Sequence, residues 1–151
     1  MLTVEIPVPT HLKKFLEKKH SSDFVVIRNT FLGMIILDSM VGKRQCLYDY
    51  KENDYPDVLE FQLHENYYNK GLVEINPEKK QWLVRLFEKL FNEDLFFYVN
   101  KNLNEKTFAK KLIEEWLAYY KIGEDDIKLE SLYKRYKRRV KDNIKSKKNN
   151  L

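Results

Sequence analysis

The sequence predicts an α+β fold, mostly helical, in which a small N-terminal antiparallel sheet packs with a C-terminal helical bundle ending in a long basic helix. Three observations carry that expectation. The segments "LTVEIPV" and "VLEFQL" alternate apolar and polar residues with the period of a half-buried strand. From residue 76 onward, apolar residues recur every three or four positions through three successive segments. Only four Gly and four Pro in 151 residues leave few turn-formers for a many-stranded sandwich or barrel. Nine Phe, ten Tyr and two Trp exclude a wholly disordered chain. The length suits one domain over residues 1–148, with an α/β part (1–75), a helical part (76–148) and a frayed tail at 149–151.

The first strand places Leu2, Val4, Ile6 and Val8 on one face; Pro7, which lacks an N–H, puts it at a sheet edge or ends it. A short helix follows Pro9, with Leu12, Phe15 and Leu16 on one face and Lys13, Lys14, Lys18 and Lys19 elsewhere, stopping at Ser21-Ser22. "DFVVIRN" reads as a short strand. Asn29 or Thr30 is placed to cap a helix through "FLGMIILDSMV", although Ile35 and Ile36 suit a strand equally, and Gly33 permits close packing in either state. Residues 42–57 form the most loop-like stretch, acidic from Asp49 onward. "VLEFQL" then supplies a partner for the first strand, and so small a sheet needs a helix over one face.

Asn76, Pro77 and Glu78 mark a helix start: a side-chain acceptor for the first amides, a residue without an N–H, and a carboxylate at the positive end of the dipole. Trp82, Leu83, Leu86, Phe87, Leu90 and Phe91 form its stripe, and the helix either continues through Leu95, Tyr98 and Val99 or restarts after Asn92. The next helix presents Phe108, Leu112, Ile113, Trp116, Leu117 and Tyr120 on one side; Gly123 is expected to end it in a left-handed turn covered by Ile122. Asp125 or Asp126 is expected to cap the last helix, with Leu129, Leu132, Tyr133, Tyr136, Val140 and Ile144 along its apolar edge.

Charge is distributed unevenly along the chain. Residues 128–151 hold ten Lys and Arg against Glu130 and Asp142, a net of +8. The remaining residues hold 18 basic and 21 acidic side chains, a net of −3. A basic element on a slightly acidic body points to nucleic acid, an anionic surface or an acidic protein partner. Lys134, Arg138, Lys141, Lys145 and Lys148 advance by four, three, four and three residues and so share a helical face, flanked by Arg135 and Arg139. Arg forks match guanine or phosphate and Lys matches phosphate, which makes Lys134, Arg135, Arg138, Arg139, Lys141 and Lys145 the candidate nucleic-acid contacts. The near absence of acids there removes the i,i+4 pairs that ordinarily stabilise a solvated helix. A helix, a Gly turn and a basic helix also invite a helix-turn-helix reading, although Tyr119 stands where that motif takes a small residue.

Other chemistry finds little support. His11, His20 and His64 are scattered and read as surface or packing residues, and "HE" at His64 lacks the second His of a zinc-protease helix. Carboxylates cluster at Asp49, Glu52, Asp54 and Asp57, in a loop, and at Glu124, Asp125 and Asp126, where helix capping explains them. The chain is therefore expected to be no enzyme and to need no metal or cofactor. Cys46 is alone, which points to a structural thiol in a reducing compartment. Without a signal-like N-terminus or a membrane-length apolar run, the expected location is cytoplasmic.

The stretch "YYKIGEDDIKLESLYKRYKR" resembles the C-terminal segments of small basic proteins encoded by bacteriophages and mobile elements. The likeness covers about the last thirty residues. It implies DNA binding and, for a phage protein, the host cytoplasm, and it carries no functional residue with it. The expected function is thus non-enzymatic binding of nucleic acid, DNA foremost, in a regulatory or architectural role, by a protein compatible with homodimer formation. The alternative is a protein-interaction or phage assembly component that oligomerises through Leu129, Leu132, Tyr136, Val140 and Ile144, whose spacing follows two heptads.

Overall fold

A computed structural model of the protein describes residues 1–21, 23–41, 54–72 and 74–149. Cys46, Asp49, Glu52 and most of the expected acidic loop lie outside the described residues, as do Ser22 and the last two residues of the tail. The fold is α+β and mostly helical, with the strands confined to the N-terminal half. It divides into two compact units, residues 1–89 and 90–151.

In the first unit β1 (Leu2–Val8) pairs antiparallel with β4 (Asp57–Leu63), Val4 opposite Phe61 and Ile6 opposite Leu59. All four side chains are buried, together with Val8 and Leu63, because period-two alternation puts the apolar residues of both strands on one face. β2 (Val25–Val26) adds to the other side of β4 in parallel, giving the order β1-β4-β2. Pro7 therefore does sit in an edge strand, where its missing N–H costs no central ladder bond, and the strand continues past it to Val8.

The helix needed over such a sheet is α1 (Thr10–His20), which contacts β4 and buries Leu12, Phe15 and Leu16. Its first turn is tied down twice: the Thr10 hydroxyl donates to the Asp57 carboxylate, and His11 Nε2 lies 2.9 Å from Glu88 Oε2. The ambiguous apolar run is helical as α2 (Phe31–Ser39). Thr30 caps it, accepting from the Gly33 amide at 3.0 Å, and Leu32, Ile36 and Leu37 are buried, so capping and packing outweigh the strand preference of Ile35 and Ile36. Gly33 is required by close approach, since a Cβ there would lie 2.0 Å from the Ile27 carbonyl oxygen. Beyond α2 the chain becomes β3 (Met40–Val41), paired antiparallel with β5 (Glu74–Ile75). Between β4 and β5, His64 caps the single turn α3 (Glu65–Tyr68) by accepting from the Asn66 amide.

α4 (Pro77–Asn102) begins as its sequence predicts, Asn76 Oδ1 accepting from the Glu78 amide at 3.0 Å, and runs unbroken past Asn92. Leu83, Phe87, Phe91, Leu95 and Val99 form a fully buried stripe at i,i+4 spacing, whereas Trp82, expected within it, is half exposed and carries Lys79 over its ring. The division between the two compact units falls within this helix, between Lys89 and Leu90. Its opening turns are anchored in the first unit by the pairing of Glu88 with His11.

In the second unit α4 gives way to a turn in which Asn104 Oδ1 accepts from the Lys106 amide and the Thr107 hydroxyl. α5 (Ala109–Tyr119) follows and buries Leu112, Ile113, Trp116 and Leu117; Phe108, expected on that face, is its N-cap residue and 80% exposed. The Trp116 ring meets Phe91 edge-on at 4.9 Å, and its N–H donates to Asp94 at 3.1 Å. The left-handed residue after α5 is Lys121 (φ 54), not Gly123. Lys121 N–H donates to the Ala118 carbonyl and Ile122 N–H to that of Leu117, and buried Ile122 covers buried Leu117, which is a complete Schellman closure. The hydrophobic closure by Ile122 sets the position, and a Lys occupies the left-handed site despite the conformational cost. α6 (Leu129–Asn149) starts two residues later than a cap at Asp126 would place it: Asp126 accepts from the Gly123 amide within the turn, and Glu124 reaches the Leu129 amide.

Candidate nucleic-acid interface

α6 lies against α5 and the second half of α4, and its helical phase decides what each side chain meets. Leu132 and Tyr136, one turn apart, are buried, and the Tyr136 hydroxyl donates to Asn100 Oδ1 at 3.1 Å. Burial, helped by Tyr133, holds that hydroxyl above the usual phenol range. The Phe96 ring sits 5.5 Å from Tyr136 and has the Arg139 guanidinium stacked on it at 4.2 Å.

The six candidate contacts therefore separate into two groups. Arg139 forks onto Glu93, donating from Nη2 to Oε2 at 2.8 Å, and this hydrogen bond keeps the Glu93 carboxyl below its ordinary value. Arg135 donates to Asn92 Oδ1 at 3.2 Å. Both arginines face α4 and hold α6 to it. Lys134, Arg138, Lys141 and Lys145 are exposed on the other side and form no ion pair among the described residues, and Lys148 continues the same row. Of the two acids in α6, Glu130 pairs with Lys110 at 3.4 Å, and Asp142 lines a cleft of about 370 Å³ with Asn92, Phe96 and Arg139. Asp142 stands four residues after Arg138 and three before Lys145 and shares that cleft with Arg138, but among the described residues no ion pair joins it to the row.

The connection between α5 and α6, residues 120–128, is longer than the turn of about three or four residues in a helix-turn-helix. Its Schellman closure and second turn make it a loop of defined shape that does not set up that motif's docking geometry. The oligomerisation seam is also divided. Leu132 and Tyr136 are buried within their own chain, while Ile144 is 51% exposed, so the five heptad positions do not make one open face.

The tyrosines serve packing more than display. Tyr120 meets Trp116 at 4.7 Å, and burial, with Asp94 nearby, pushes its hydroxyl up to about 12. Lys137 lies 4.5 Å over Tyr133, and Tyr119 is exposed. His11 is buried against Glu88, His64 caps a turn, and His20 packs edge-on to Phe24, where burial and then Lys19 lower its pKa. Among the described residues no three His, Cys, Asp or Glu side chains converge on a metal-sized site, and no helix is long and apolar enough to cross a membrane.

Residue spacing identified the exposed row. It did not reveal that Arg135 and Arg139 are structural, because their partners Asn92 and Glu93 lie 43 and 46 residues away. Comparison with protein-family models, with curated proteins and with solved structures finds no match to this chain.

Proposed function

We propose that the protein binds nucleic acid, duplex DNA foremost, without catalysing a reaction, through the exposed face of α6. The observation that carries this reading is the row Lys134, Arg138, Lys141, Lys145 and Lys148. It has no ion-pair partner among the described residues, on a helix where Arg135 and Arg139 are engaged with α4. An unneutralised row costs self-repulsion, which phosphate contacts relieve by releasing counterions from the duplex. At 1.5 Å per residue the row rises about 21 Å, enough to follow several phosphates along one strand. Backbone contact is favoured over stacking of unpaired bases, because Tyr136 is buried and Tyr120 is packed on Trp116. The resemblance of the C-terminal segment to small basic proteins of phages and mobile elements agrees with a regulatory or architectural role in a cytoplasm, as a monomer or homodimer.

Titration of a fluorescein-labelled duplex at several salt concentrations tests the proposal. Binding should weaken steeply with salt, and replacing Lys141, Lys145 and Lys148 together by Ala should flatten the logarithmic slope by about 2.7, near 0.9 per phosphate contact. Binding that is absent at low salt, or indifferent to the triple change, overturns it.

A further inference from the structure

Beside the cationic row, α6 and the segment joining α4 to α5 enclose an open groove of about 650 Å³. Its floor is aliphatic: Val140 and Ile144, one turn apart on α6, face Leu103 and Ala109, with Tyr136 at one side. Its rim on the α6 side is cationic, formed by Lys134, Lys137, Arg138 and Lys141 at i, i+3, i+4 and i+7. Leu103 is 44% and Ile144 51% exposed, and Phe108 beside Ala109 is more exposed still. Half-exposed aliphatic side chains of this size, collected in one groove and edged by charge, mark a surface that another molecule covers.

We infer that this groove receives an amphipathic helix of a partner protein, its apolar stripe on Leu103, Val140 and Ile144 and its acidic flank on the α6 rim. The occupant follows from shape and charge. A small ligand needs most of its surface enclosed, and side chains left half exposed line a groove too shallow for that. Nucleic acid presents phosphates and flat bases, which meet the rim but leave the aliphatic floor without a partner; the aromatic at the side of the groove, Tyr136, is already engaged with Phe96 and Asn100. A second copy docking α6 on α6 brings like-charged rims together. A helix with leucine-like residues at i, i+3, i+4 and i+7 and carboxylates alongside satisfies floor and rim at once. The inference stands independently of DNA binding. Because Lys134, Arg138 and Lys141 belong to both surfaces, the two ligands compete where both bind.

The test uses the full chain and a fluorescein-labelled synthetic peptide of eighteen residues, with Leu on a helical stripe and Glu at the flanking positions. Controls are a scrambled peptide of the same composition and a version with Gln in place of Glu. The expected result is saturable binding of the acidic amphipathic peptide, weaker by about fivefold or more for each control and, with the original peptide, for each of Leu103→Ser and Ile144→Ser. Both variants should keep the parent circular dichroism spectrum and, where duplex DNA binds, its salt slope. Equal binding of the scrambled peptide, or indifference to both Ser variants, overturns the inference. So does a dimer seen by light scattering that Ile144→Ser dissociates, which assigns the groove to a second copy, or a loss of DNA affinity in the Ser variants as large as the loss of peptide affinity. Failure of DNA binding alone leaves the peptide result standing and removes only the proposal of the preceding section.

Discussion

Two halves of one basic helix meet different surroundings. Over residues 129–140, α6 buries Leu132 and Tyr136, bonds Arg135 to Asn92 and Arg139 to Glu93, and stacks Arg139 on Phe96. Over residues 141–149 every side chain is exposed, including Ile144, and the helix continues to Asn149. A basic run is thus not one kind of surface. In the docked half, helical phase turns alternate cations inward, where their stems and forks cover an aromatic ring and a carboxylate. In the projecting half every side chain is exposed, Ile144 included, and its lysines hold their charge in solvent. Even in the docked half, Lys134 and Arg138 point outward and extend the solvated row into it.

That contrast can be broken most forcefully at its apolar residues. Leu132→Ala should cost about 2–5 kcal/mol in urea unfolding, because a fully buried side chain leaves a cavity, whereas Ile144→Ala should stay within about 0.5 kcal/mol. Equal losses would mean that the projecting half is packed as well. A smaller effect is expected at the polar anchor. Tyr136→Phe keeps the ring on Phe96 and removes the hydroxyl bonded to Asn100, for a loss of about 0.5–1.5 kcal/mol measured in the same way.

The smallest effect sharpens the electrostatic side of the comparison. Arg139 lowers the Glu93 carboxyl below its ordinary value near 4.5, so the folded state binds fewer protons there than the unfolded chain as that group titrates. The stabilisation is therefore present above that value and is lost as pH falls through the lower folded pKa. Glu93→Gln should cost about 0.2–1 kcal/mol at neutral pH, as expected for a solvent-screened pair, and the gap from the parent protein should close in acid. Thermal unfolding followed from pH 7 to 3 reads this directly; a gap that persists unchanged in acid would mean that Glu93 acts by packing rather than by charge.

Some features were legible because their causes are local. Alternation in "LTVEIPV" and "VLEFQL" foretold two strands whose buried faces match in register, and Asn76-Pro77 foretold the start of α4. Thr30 was one of two candidates for capping α2, and its hydrogen bond from the Gly33 amide opens a helix that buries Leu32, Ile36 and Leu37. Gly123 was the obvious residue for a left-handed turn. The chain placed that conformation at Lys121, because Ile122 then closes over Leu117. Asp125 and Asp126 looked like caps for α6, yet Glu124 reaches the first amide of a helix that starts at Leu129.

By itself, the sequence determined the segments' periodicities, the concentration of positive charge in residues 128–151 and the row formed by Lys134, Arg138, Lys141, Lys145 and Lys148. These follow from spacing along the chain and the geometry of a single helix. The tertiary structure alone decided which cations are spent on Asn92 and Glu93, where the apolar edge of α6 is covered, and that Leu103 and Ala109 stand opposite Val140 and Ile144 across one groove. Those outcomes depend on residues some thirty to fifty positions apart being brought within contact. Only the folding of α4, α5 and α6 on one another supplies that proximity.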